Sequence, residues 1–149
     1  MFSGNHFYVI CFNLKKITVE IIDNRSGDRV DTMYDGIPET MQENFGLYIA
    51  QQSPKKSMLL SNAPVQRLQM KWRTSNKNVD SGVFAMHHME TYMGYGLRNW
   101  ECKFAAEVGI EQKRQLERAR QIYATKIVYS GINFLKGQMT TEIKFVNQN

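Results

Sequence analysis

Asn78-Val79-Asp80-Ser81-Gly82-Val83-Phe84-Ala85-Met86 is the stretch on which the fold turns. A polar, turn-forming run ends at Asp80-Ser81-Gly82, and an unbroken apolar run comes directly after it. That pattern predicts a buried helix from Ser81 to about Met93, stopped by Gly94 and Gly96. It places a small hydroxyl side chain in the helix's first turn. Backbone N–H groups there lack intrahelical partners and the dipole end is positive, so a developing negative charge is stabilised.

The elements before this helix read as strands. Phe7-Tyr8-Val9-Ile10-Cys11-Phe12 is a continuous apolar run, the pattern of a strand covered on both faces, and Ile17-Thr18-Val19-Glu20-Ile21-Ile22 alternates. Asn13-Leu14-Lys15-Lys16 joins them as a hairpin that closes at Asp23-Asn24. Residues 25–36 read as a loop. Pro38-Glu39 opens a helix with Met41, Phe45, Tyr48 and Ile49 at helical spacing, ending near Gln52. Residues 53–64 read as a second loop, and Val65 to Trp72 as a third strand. A long amphipathic helix is expected from Ile110 to about Ser130, with Leu116, Ala119, Ile122, Tyr123 and Ile127 in one stripe. Strands first, helices later, with one strand between them, make an α+β domain.

Composition narrows the function classes. The chain has 149 residues, enough for one domain, with 42% hydrophobic and 22% charged residues, so it is globular rather than disordered. Its net charge of +5 is a mild basic bias, which makes nucleic acid a weak third choice of partner. Two cysteines, Cys11 and Cys102, are too few for a disulfide framework and fit an intracellular setting. No apolar run approaches the ~18 residues of a membrane span, so no membrane partner is expected. Met1 to Asn5 carry no secretory signal. The first strand begins almost at once, and an upstream segment is expected to be missing.

Three residues can be brought together on paper. A hairpin turn centred between Lys15 and Lys16 makes paired residue numbers sum to 31. Asp23 then lies opposite Tyr8, and His6 is its diagonal neighbour, within reach of long side chains. A carboxylate beside an imidazole fixes its tautomer and stabilises the imidazolium. A one-residue slip would send the two to opposite faces. The plainer alternatives are a turn-forming Asp23 and an N-capping Ser81.

Joint occurrence of several blocks sharpens this picture. His6-Phe7-Tyr8-Val9-Ile10, Ile21-Ile22-Asp23-Asn24 and Val79-Asp80-Ser81-Gly82-Val83-Phe84-Ala85-Met86 resemble, in order, the catalytic blocks of the ubiquitin-like-protein (SUMO) protease family of cysteine peptidases. His88-Met89-Glu90-Thr91-Tyr92-Met93-Gly94, Trp100-Glu101-Cys102 and Tyr123-Ala124-Thr125-Lys126-Ile127 resemble the plant branch of that family. The resemblance implies a papain-like fold of the SUMO protease type, with a small central sheet packed by helices. Residues 1–149 would be a single catalytic domain lacking its N-terminal part. It implies His6 as general base, Asp23 as its orienter and Ser81 at the nucleophile position, where the family has cysteine. The family's oxyanion Gln is absent from Trp72-Arg73-Thr74-Ser75-Asn76-Lys77, which leaves Ser75 or Asn76 as substitute donors.

The resemblance further implies acyl transfer at the C-terminal Gly-Gly of SUMO or another ubiquitin-like protein, or of its conjugates. No cofactor is needed, and the setting is the nucleus or cytoplasm. A thiol with pKa near 8.5 ionises beside an imidazolium and a helix terminus, whereas a serine hydroxyl must lose its proton during attack. Peptidase activity is therefore expected to be lost and binding kept. The alternative is a catalytically dead binding module for ubiquitin-like modifiers. His87, His88 and Glu90 lack metal-ligand spacing, and no metal is expected; one His belongs in the core and one at the surface. Met70, Met86, Met89 and Met93 read as core filler, Cys102 as a packed thiol, and Lys113, Arg114, Arg118 and Arg120 as a solvated face that could meet an acidic partner.

Overall fold

In the computed structural model the described residues are 2–3, 6–27, 34–75, 78–139 and 141. The hairpin register is the one its turn implies. Strand β3 (Val9–Asn13) runs antiparallel to β4 (Thr18–Ile22), with Val9 opposite Ile22 and Asn13 opposite Thr18. Asn13 makes the turn: its Oδ1 accepts from the N–H groups of Lys15 and Lys16, both at 3.1 Å, and its carbonyl from Ile17 at 2.7 Å. The expected first strand is broken at Tyr8. Ahead of it, β2 (His6–Phe7) pairs with β1 (Phe2–Ser3) in a separate two-stranded sheet.

Strand β5 (Val65–Arg67) lies parallel to β4, giving a three-stranded mixed sheet in the order β3-β4-β5. The third strand is thus shorter than expected, with a turn at Lys71–Trp72. Position in the sheet also reverses the expected covering. The alternating strand β4 is central, with Val19, Glu20, Ile21 and Ile22 all buried, whereas the apolar β3 is an edge and only half-buried. Burying each of these aliphatic side chains contributes about 1.5–3 kcal/mol.

The crossover between β4 and β5 carries two helices where one was expected. Helix α1 (Ile37–Ala50) starts behind Pro38, and α2 (Pro54–Ser61) occupies the expected loop, its own Pro54 at the first turn. The buried face of α1 is Pro38, Gln42, Gly46 and Ile49, while Tyr48 is exposed. Gln42 explains the shift. Its Nε2 donates to the carbonyls of Leu60 and Ala63, tying α1 to the end of α2.

Helices α3 (Ser81–Thr91) and α4 (Glu111–Tyr129) pack together through Val83, Phe84, Leu116 and Tyr123. A second cluster, Ile22, Met70, Tyr92, Trp100 and Cys102, joins α3 to the sheet face that carries Ile22. Tyr8, Ile21 and Tyr34 fill the opposite face. The buried residues of α4 are Gln112, Leu116 and Tyr123; Ile122 and Ile127 of the expected stripe stay exposed. Of the methionines read as filler, Met70 is buried and Met86 half-buried, whereas Met89 and Met93 are exposed. No helix among the described residues is long and apolar enough to cross a membrane.

Candidate active site

His6 and Asp23 meet. His6 Nε2 lies 2.7 Å from Asp23 Oδ1, and both side chains are buried. A carboxylate only accepts, so Nε2 is the ring nitrogen that donates, and Nδ1 is the other. That Nδ1 is buried and has no hydrogen-bond partner among the described residues. The diagonal geometry expected of a continuous hairpin is thus reached by another route, because His6 belongs to β2 and Asp23 leaves the end of β4.

Asp23 is the most heavily partnered carboxylate among the described residues. Tyr34 Oη donates to its Oδ2 at 2.6 Å, the Arg25 N–H to its Oδ1 at 2.8 Å and Arg25 Nε to Oδ2 at 3.2 Å. Arg67 stands 3.8 Å from Oδ2, its guanidinium anchored on the carbonyls of Arg25 and Gly27. Burial alone would raise the Asp23 carboxyl. The hydrogen bonds from His6, Tyr34 and the Arg25 N–H outweigh it and hold the group well below the usual carboxylate range. Burial, together with this same carboxylate contact, pushes the Tyr34 hydroxyl far up. Tyr34 and Arg67 were not legible as site residues. Tyr34 sits in a segment that reads as a polar loop, and its one cue is an aromatic side chain there.

Ser81 is brought to the same place. Its Oγ accepts from the Phe7 N–H at 3.2 Å, so the hydroxyl lies against the peptide that joins His6 to Phe7. Phe7 is half-exposed over the start of α3, its ring 3.7 Å from where a Cβ on Gly82 would sit. His6, Asp23 and Ser81 are 2%, 0% and 1% exposed, so an acyl carbon reaches Oγ only when the covering side chains move.

The oxyanion expectations fare differently. Ser75 N–H and Oγ both donate to Glu107 Oε2, at 2.9 and 2.8 Å, which commits this donor to a carboxylate. Asn76 lies outside the described residues. The helical backbone also begins earlier than expected. A 3-10 turn, Asn78–Asp80, runs into α3, and Asp80, paired with Arg120, is already in the right-handed region.

Next to the site, His88 is buried within an aromatic frame of Trp72, Phe84 and Trp100, and Trp72 Nε1 donates to its Nε2 at 3.1 Å. Burial, with the charge of His87 beside it, pulls His88 down to about 3, so it stays neutral. His87 is half-buried rather than at the surface: Nε2 donates to the Cys102 carbonyl at 2.7 Å, and Nδ1 lies 3.2 Å from Tyr123 Oη. Cys102 is a packed thiol, pushed up by burial to about 12. Comparison with protein-family models, curated proteins and solved structures gave no match.

Proposed function

We propose that this chain has the acyl-transfer machinery of a papain-like cysteine peptidase, held in a serine form. Within that class, the blocks around His6, Asp23 and Ser81 favour the SUMO protease family and its plant branch. The substrate is then the C-terminal Gly-Gly of a ubiquitin-like protein, as a precursor or a conjugate. The observation that carries this is the buried His6–Asp23 pair at 2.7 Å, with the Ser81 hydroxyl 3.2 Å from the adjoining Phe7 N–H.

The roles rest on the chemistry. Asp23 holds Nε2–H, which directs the ring's basicity to Nδ1. The nucleophile at position 81 attacks the carbonyl carbon of the terminal glycine, and its proton passes to Nδ1. The tetrahedral intermediate expels the amine, which takes that proton, and water then cleaves the acyl-enzyme. With serine, attack requires full proton transfer within the step. The chain as written therefore binds and does not turn over, and this is how the alternative of a binding module acts. Nucleic-acid association is a weaker choice that rests on charge alone.

An electrophilic SUMO probe tests both halves. Ser81→Cys labels covalently, and the unchanged chain binds SUMO without labelling. Failure of both to bind SUMO overturns the substrate assignment.

A further inference from the structure

A groove of about 410 Å³ opens between α3, the segment 102–104 and α4, and shares no lining residue with His6, Asp23 and Ser81. Its floor is apolar: Phe104, Ala119, Ile122 and the ring of Tyr123. Ile122, next to the buried Tyr123, is 44% exposed. The rim is cationic, with Lys103, Arg118 and Lys126.

Glu90 is the one carboxylate among the described lining residues; it is ion-paired with Lys126 and accepts from the Tyr123 hydroxyl at 2.8 Å. Lys103 and Arg118 have no carboxylate partner among the described residues. The Lys103 backbone is held at φ +66°, a conformation that L residues rarely adopt. Gln115 maintains it, its Nε2 donating to the Lys103 carbonyl at 2.9 Å and its Oε1 accepting from the Ala105 N–H at 2.8 Å. The backbone from which Lys103 projects is thereby fixed at the rim of the groove.

We propose that this groove docks an acidic peptide segment of a partner protein, which seats an apolar side chain over Ile122 and Phe104 and sets carboxylates against Lys103 and Arg118. Charge complementarity selects this occupant. An uncharged peptide would leave the two cations unanswered, and a basic one would be repelled. The volume suits one or two side chains, as short-motif recognition requires.

The test uses a fluorescein-labelled decapeptide with a central Leu-Phe pair flanked by Asp and Glu, titrated against the full chain. Binding should weaken about tenfold in a Lys103→Glu, Arg118→Glu double variant, and similarly in Ile122→Glu, with melting temperatures near the parent's. These substitutions fall on exposed positions, and neither binding nor its loss depends on position 81. A peptide with Ser-Ser at its centre should lose affinity by a similar factor. Equal binding of the Ser-Ser peptide would mean charge attraction without docking, and would overturn the proposal. Absence of binding to the Leu-Phe peptide, or equal affinity in the variants, overturns it as well.

Discussion

At the scale of single residues, Asp23 is where structure and chemistry are hardest to separate. Removing its carboxylate leaves two guanidinium groups and a buried hydroxyl without their common partner. Asp23→Ala should therefore cost about 3–5 kcal/mol in chemical denaturation. Tyr34→Phe deletes one hydrogen bond to a charged group and should cost about 1.5–3 kcal/mol. Equal, negligible losses would show that the carboxylate is not the hub described. His88 gives the pH dependence. Its folded value of about 3 lies below the unfolded value of 6.5, so below pH 6.5 the unfolded chain takes up a proton that the folded chain refuses. Stability then falls as pH falls, by about 2 kcal/mol between pH 7.5 and 5 from this group. His88→Gln should flatten that part of the profile, whatever its own offset, and an unchanged slope would contradict the account. Asp23 works in the same direction at lower pH: its depressed value makes a contribution that is complete above the ordinary carboxylate range and is lost only in strong acid.

At the scale of elements, register was legible and burial was not. Counting from the polar turn at Lys15-Lys16 gave the β3–β4 pairing, because turn length fixes register. Which strand is central depends on β5, which reaches β4 only after two helices, and hydropathy carries no trace of that neighbour. Helix α2 was missed for a related reason. Lys55, Lys56 and Ser57 give its first turns no apolar face, and only Leu60 is buried. The α1–α2 contact explains why α1 presents Gly46 inward: a Cβ there would lie 2.8 Å from Ser61 Oγ, and the Gly46 carbonyl accepts from Ser57 Oγ at 2.8 Å. Gly46→Ala should be nearly neutral, since the Ser61 hydroxyl can swing aside and alanine favours helix by about 1 kcal/mol. Gly46→Leu should cost about 1–3 kcal/mol by overpacking, read as a lower melting temperature. Equal melting temperatures for the two variants would place α2 farther from α1.

For the molecule as a whole, the arrangement converges on one corner. A two-residue strand brings His6, the end of the central strand brings Asp23, and the start of α3 brings Ser81. The charged surround of Asp23 was not legible: Arg25 and Tyr34 fall in a stretch that reads as a loop, and Arg67 arrives from a strand 44 positions on. The oxyanion donor was not legible either, since Ser75 is captured by Glu107, a contact across 32 positions that spacing cannot reveal. Hydrolysis of a fluorogenic substrate carrying the SUMO C-terminus, by Ser81→Cys alone and combined with His6→Gln, tests the central claim most directly. Turnover by Ser81→Cys that the second substitution abolishes is the predicted result. A folded, SUMO-binding Ser81→Cys protein that cleaves nothing, or cleaves equally well without His6, would contradict the assignment of this corner as a peptidase site.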